Sequence, residues 1–371
     1  MLLRRLFFVM LLFCALPAAR HAVAQSPAWT GNDDMLLFYE ALTKIQEQSI
    51  HPEPPKDMVQ KAIRGYLRQL DEYSDYLSAE EYAVYNASRD SSYAGVGMDI
   101  FGDHYGRILC LPYPGGPAYE AGIRYGDVLT FVGREAVRSN TVRLVGSWIR
   151  GLPGETVTVT VTNSKGAVRT LSLVRQRLEA DTLELDSHGP CPRIRIYSFG
   201  PETVRKLSRL LASLPAGQPR VIDLRGNTGG DFFAAVDAAA LFLRAGQPVV
   251  DMRTQDGIRQ YVAQGQPVDA SPLILWQDGL TASAAEVFVA ALVDNGRAMS
   301  LGATTFGKGV SQTLVALSDG SVMFVTNGAL RTPKGDYYHR NGLAPTHVLE
   351  VVPGTPDAVF WNATRTMLAK P

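Results

Sequence analysis

The stretch Val221-Ile222-Asp223-Leu224-Arg225-Gly226-Asn227-Thr228-Gly229-Gly230 joins a short apolar run to a glycine-rich turn. Val221 to Leu224 reads as a buried strand, and the turn leads into a helical pattern from Phe232 to Leu243. The alternation continues on both sides. Before it, Arg193 to Ser198 reads as a strand and Glu202 to Leu214 as a helix. After it come a buried strand at Leu273 to Trp276, a helix at Ala284 to Asp294 and a strand at Val322 to Thr326. Strands alternating with helices predict a layered α/β core over residues 190–355.

Two segments of that core carry chemistry. Leu280-Thr281-Ala282-Ser283-Ala284-Ala285-Glu286 offers a serine where a loop runs into a helix. Thr305-Phe306-Gly307-Lys308-Gly309-Val310-Ser311-Gln312 offers a lysine between two glycines, 25 residues after that serine, with a glutamine four residues later. A serine hydroxyl is a poor nucleophile until a base takes its proton. A lysine can be that base when burial disfavours its ammonium form. The amides of the Asp223–Gly230 turn, at the start of a helix, could receive an oxyanion. A helix N-cap serine beside a surface lysine would give the same local pattern. A phosphate loop would need a Gly-Lys-Ser/Thr ending, which the turn lacks. His188, His339 and His347 are the alternative bases for a Ser-His-Asp site. No Gly-x-Ser-x-Gly elbow surrounds Ser283, so these histidines are expected to be solvated surface groups. Asp336 and Glu286 read as structural, Glu286 as a favourable charge in the first helical turn.

The serine and lysine segments resemble the Ser/Lys site of the carboxyl-terminal processing, or tail-specific, proteases of peptidase family S41. That family pairs a Ser-Ala-Ser-Ala-Ser-Glu-like nucleophile segment with a Thr-Phe-Gly-Lys-Gly-x-x-Gln base segment at this separation. The resemblance implies Ser283 as nucleophile, Lys308 as general base and Gln312 as the residue that orients the lysine. Ala285 stands where a second serine is common. The run Asp223–Gly230 resembles the family's Asp-Leu-Arg-x-Asn-Pro-Gly-Gly oxyanion loop, with Thr228 in place of proline. It implies Gly229 N–H and Ala284 N–H as the two oxyanion donors. The implied fold is multi-domain α/β: a helical N-terminal segment, a mostly β PDZ domain and a crotonase-like, ClpP-type protease core. No cofactor and no metal are implied. The alternative function is a non-catalytic, PDZ-containing peptide-binding protein on the same scaffold.

The preceding segments fit that order. Residues 33–88 read as helical, with Leu36, Leu37, Ala41, Leu42 and Ile45 at helical spacing. His51-Pro52-Glu53-Pro54-Pro55 breaks the pattern, and Met58 to Leu70 resumes it. Leu70 to Tyr82 resembles the family's Leu-Asp-Pro-x-Ser-x-Tyr-Leu segment, with Glu72 for proline, and Ser78 with Glu81 forms a capping-box pattern. Residues 93–177 alternate Val/Thr-rich strands with glycine turns and one short helix, Thr141 to Ile149. This part resembles a PDZ domain, which adds a peptide as a strand and captures its terminal carboxylate. Gly95, Val96, Gly97 and Met98 match the carboxylate loop; an ordinary turn would read the same way. The expected divisions are therefore 1–24, 25–92, 93–177 and 178–371.

Residues 1–24 read as a secretory leader: Arg4 and Arg5, then an apolar run from Leu6 to Leu16, then Ala22-Val23-Ala24 as a small-x-small cleavage site. Phe13 before Cys14 argues against a lipid anchor. The expected location is therefore the periplasm or cell envelope. The chain has 36 basic and 36 acidic side chains, and loss of the leader's three arginines leaves a net charge of −3. With no basic cluster after residue 24, nucleic acid is not an expected partner. Cys110 and Cys191 sit in apolar stretches and read as two buried thiols, although export also permits a disulfide. No Cys-x-x-Cys or His-Glu-x-x-His motif supports zinc. The implied partners are protein or peptide substrates with free C-termini, with room for an adaptor and for homo-oligomers paired through residues 33–50.

Overall fold

The computed structural model describes residues 32–87, 94–138, 140–177 and 182–369. The leader and Cys14 lie outside the described residues, as do 88–92 and Tyr93. Helix α1 (Asn32–Gln48) and the start of α2 (Pro55–Leu70) belong to a first compact unit ending at Val59. Asp33 and Asp34 occupy the first turn of α1, where the helix dipole favours acids. Its Leu36 and Leu37 are exposed. No described helix is long and apolar enough to cross a bilayer.

The second unit starts at Gln60. It continues with β1 (Asp75–Leu77) and α3 (Ala79–Ala87). Ser78 N–H donates to Glu81 Oε2 at 2.8 Å and Glu81 N–H to Ser78 Oγ at 3.2 Å, the expected capping box at the start of α3. β1 departs from the helical expectation for 33–88. Its three residues pair antiparallel with Val322–Phe324, a partner far along the chain, and bury Tyr76 and Leu77. A strand this short shows no period of its own in the sequence.

A β-rich module follows: β2 (Ala94–Gly95), β3 (Met98–Gly102), β4 (Ile108–Pro112), α4 (Pro117–Glu120), β5 (Val128–Val132), β6 (Glu135–Ala136), α5 (Val142–Ile149), β7 (Thr156–Thr162), β8 (Val168–Val174) and β9 (Gln176–Arg177). Its sheet is antiparallel in the order β3-β4-β5-β7-β8. The valines of β7, Val157, Val159 and Val161, turn into a core with Ile108, Cys110 and Leu129, and its threonines turn out. Thr141 caps α5 through its side chain, which accepts from Leu144 N–H at 3.3 Å.

The remaining elements are β10 (Leu183–Asp186), β11 (Arg193–Ile196), α6 (Pro201–Ser213), β12 (Arg220–Asp223), α7 (Phe232–Ala240), β13 (Pro248–Thr254), β14 (Gly257–Val262), β15 (Leu273–Gln277), α8 (Ala284–Asp294), β16 (Met299–Gly302), β17 (Val310–Ala316), β18 (Val322–Arg331), β19 (His347–Val348) and α9 (Asp357–Leu368). One sheet runs β10-β11-β12-β15-β16-β19 and is parallel except for β10. Ile222, Leu224, Leu273 and Leu275 face a core with α7 and α8; Val221, Ile274 and Trp276 face the other side, against Phe360 and Trp361 of α9. A sheet covered on both faces explains the unbroken apolar run of β15. The second sheet is antiparallel, β1-β18-β13-β14, with β17 on β18. Cys110 and Cys191 are buried free thiols in separate cores.

Candidate active site

Ser283 is the N-cap of α8, with φ 57° and ψ −121°. Among the described residues only Arg340 shares a positive φ without being glycine. Such a conformation costs about 1–3 kcal/mol and persists where the surroundings enforce it. Here they do. Ser283 N–H donates to Glu286 Oε2 at 2.9 Å, and Ala282 N–H to the Asn227 carbonyl at 2.9 Å. Asp278 Oδ1 accepts from Gly226, Leu280 and Thr281 amides, tying the loop after β12 to the loop before α8. Glu286 N–H returns to the Ser283 carbonyl at 2.9 Å, closing the first turn of α8 on the serine.

Gly229 packs directly on this serine. A Cβ there would lie 2.8 Å from Ser283 Cβ and 3.0 Å from Ala284 N, and its φ of 111° already favours glycine. The two expected oxyanion donors are thus brought together beside the serine. In this conformation Gly229 N–H is engaged, donating to Asn227 Oδ1 at 2.8 Å.

Glu286 joins the serine to the lysine. It is fully buried, and its carboxylate accepts from Ser283 N–H, from Thr305 Oγ1 at 2.6 Å, from Gly307 N–H at 2.7 Å and from Lys308 N–H at 2.8 Å. Burial pushes its carboxyl up, and the four donors pull against that. Glu286 as a charge in the first helical turn accounts for the Ser283 bond alone. Its other partners lie 19 to 22 residues on, beyond the reach of a helix-start pattern. Gly307 at φ 93° lets the base loop pass close to the backbone of Arg340 and Gly342.

Lys308 is half-buried, and its pKa is lowered to about 8, by burial first and by the Arg143 guanidinium second, against the pull of Glu286 and Glu72. Nζ faces the Tyr73 ring at 4.8 Å. Among the described residues Nζ makes no hydrogen bond to Ser283. Gln312 makes no hydrogen bond to the lysine either among the described residues: its Nε2 donates to Thr326 Oγ1 at 3.4 Å, across the β17–β18 register.

Two of the three candidate histidines are exposed, as expected: His188 bonds Asp186, and His347 lies on β19. His339 differs. It packs against Gly309 and tilts against the Tyr73 ring at 5.9 Å, and burial lowers its pKa. His104 went unnoticed in the sequence; it stacks on Phe306 at 4.1 Å and bonds the Phe306 carbonyl at 3.0 Å. In the β-rich module Gly95 pairs with Gln176, and Val96 and Met98 enter the core, so the stretch is less open than an isolated glycine turn suggests. Gly97 alone has the turn geometry, at φ 70°.

The model of peptidase family S41 matches residues 192–349, which hold the Gly229, Ser283, Lys308 and Gln312 positions. A carboxyl-terminal-processing protease of Picosynechococcus sp. is 33% identical over 327 residues, 85% of this chain and 78% of the relative. The chain belongs to peptidase family S41. The chloroplastic C-terminal processing peptidase of Tetradesmus obliquus is 33% identical over 91% of this chain and 82% of its own. Among solved structures, the photosystem II D1 C-terminal processing protease superposes with a TM-score of 0.72 at 29% identity, over 87% of this chain and 94% of that one. The protein is accordingly a serine-type peptidase acting on protein substrates, and its mixed α/β architecture with N-terminal helices is that of the family.

Proposed function

We propose that the chain is an exported endopeptidase of the periplasm or cell envelope that uses a Ser283/Lys308 dyad and selects substrates by their C-terminal tails. The observation that carries the dyad is the Glu286 carboxylate, which accepts hydrogen bonds from the nucleophile loop and the base loop at once. In the reaction, neutral Lys308 takes the Ser283 proton, Ser283 attacks the peptide carbonyl, and the Gly229 and Ala284 amides hold the oxyanion. The protonated lysine then serves the leaving amine, and water resolves the acyl-enzyme. The described conformation is a resting one by this reading: Gly229 N–H must leave Asn227, and Nζ must come within hydrogen-bond reach of Ser283 Oγ, before the dyad closes.

The β-rich module fits a PDZ domain over 93–177, between a helical segment over 25–92 and a crotonase-like core over 178–371. Its sheet presents β3 beside α5, the arrangement that accepts a peptide as an added strand. A cavity of about 650 Å³ runs from Ile100, Gly102 and Val142 of that groove to Thr228 and Lys308 of the core. A tail held there lies on the route to the dyad.

The test is casein digestion by wild-type protein and Ser283→Ala. The variant should retain its fold and lose activity by at least about 1,000-fold. Undiminished cleavage by purified Ser283→Ala sinks the assignment.

A further inference from the structure

The turn before β1 lies outside the α/β core in sequence, yet it supplies the surface that Lys308 faces. This turn is rigidly built. Asp71 Oδ1 accepts from Tyr73 N–H and Ser74 N–H, both at 2.7 Å, and Ser74 Oγ donates to Asp71 Oδ2 at 2.7 Å. Strand β18 locks it from the other side: Thr326 N–H donates to Ser74 Oγ at 3.0 Å, and Thr326 Oγ1 to Asp71 Oδ1 at 3.0 Å. The Tyr73 carbonyl accepts from Arg143 Nη1 of α5 at 3.2 Å. The ring is thus fixed through its own backbone, with Lys308 against its face and the His339 ring tilted against it at 5.9 Å. Gln312 joins at the edge of the same network, through Thr326 Oγ1.

We propose that Tyr73 is the positioning residue of Lys308: its ring face fixes where the lysine head sits, and Gln312 acts on the lysine through Thr326, Asp71 and that ring. This rests on the reading of Lys308 as the base. An aromatic face attracts an ammonium more than a neutral amine, so the ring favours the protonated form. It acts with Glu286 of α8 and Glu72 of the turn, and against burial and Arg143. Arg340, paired with Glu72 at 3.8 Å, His339 and His104 complete the charged and titratable groups around the loop.

The experiment is titration of the Lys308 ε-methylene by NMR in ¹³C-lysine-labelled protein, the resonance being assigned by its loss in Lys308→Arg. Casein cleavage is followed against pH in parallel. Tyr73→Leu should lower the Lys308 midpoint by about half a pH unit and, through the lost positioning, reduce kcat on the alkaline plateau where the base is neutral in both proteins. Tyr73→Phe, which keeps the ring, should leave the midpoint in place. Gln312→Ala should shift it in the direction of Tyr73→Leu by a smaller step. An unmoved midpoint in Tyr73→Leu overturns the proposal. Should that variant fail to fold, Tyr73→Trp replaces it: its larger face should raise the midpoint, and no movement overturns the proposal equally. A midpoint that moves while the rate profile stays fixed keeps the ring contact and instead overturns Lys308 as the base.

Discussion

The nucleophile loop and the base loop meet at Glu286, but they are held by different parts of the molecule. The nucleophile loop takes its hydrogen bonds from the α/β core, although its Leu280 and Ala282 pack in one cluster with Phe101 and Leu111 of the β-rich module. Asn227, Asp278 and Glu286 fix it, and Thr281 Oγ1 ties it to the Leu224 carbonyl at 2.9 Å. The hydrogen bonds that hold the strained Ser283 backbone therefore come from the core sheet and its helices. The base loop borrows from elsewhere. Tyr73 comes from the turn before β1; His104 and Phe101, whose ring lies 4.5 Å from Phe306, come from the β-rich module. Arg143 reaches in from α5 and also lies over the Phe324 ring at 4.1 Å. The serine's hydrogen bonds thus come from the core, whereas the lysine's polar and aromatic neighbours include groups from the module and the turn.

The largest effect should come from the residue common to both halves. Glu286→Ala strands four buried donors and empties a packed site, which should destabilise the protein by about 3 kcal/mol or more. Casein cleavage and labelling of Ser283 by a fluorophosphonate should both be lost. Retained labelling with lost cleavage would show that the nucleophile loop stands without Glu286, and would sharpen the contrast between the halves.

Lys308→Arg comes next. Arginine stays protonated, so it should fall with Lys308→Ala, about 100-fold or more below wild type. A lysine needed only as a positive charge would be rescued by arginine. The pH dependence has a definite sign. With the Lys308 pKa lowered to about 8, the neutral base grows as pH rises, so wild-type kcat/KM should climb between pH 6 and about 8 and then level. Stability follows the same group. An unfolded lysine keeps its proton up to its ordinary value of 10.5, so between about 8 and 10.5 the unfolded chain holds the extra proton and stability from this residue increases with pH. A flat rate profile from pH 6 to 9 would contradict the lowered pKa.

What the sequence made legible follows the same division. The core could be read because β15 is an apolar run and its neighbours alternate regularly with helices; α8 spans Ala284 to Asp294, as its apolar pattern predicts. The serine and lysine could be read because their glycine-flanked segments resemble a known family. The supports of the base could not. Tyr73, His104 and Arg143 come from other elements, and no local pattern marks an aromatic ring that will lie under a lysine more than 200 residues away. The family resemblance implies Gln312 as the residue that orients the lysine, but its Nε2 bonds Thr326 Oγ1, its partner beside a register shift in the β17–β18 pair. β1 was hidden for the opposite reason: its partner is distant and its three residues sit inside a helical stretch.

The smallest effect should come from His104, at the rim where the β-rich module meets the base loop. His104 stacks on Phe306 with the rings nearly parallel, at 4°, and bonds its carbonyl, two residues before Lys308. Such a ring contact is worth about 0.5–1.5 kcal/mol, which corresponds to a 2- to 10-fold loss of kcat in His104→Ala if it steadies the base loop. The core does not depend on this contact, so Tm should stay close to wild type. His104→Phe keeps the stack without the hydrogen bond and should recover part of the rate. A variant with lowered Tm and full kcat would make the contact purely structural, with no bearing on how the base loop is held.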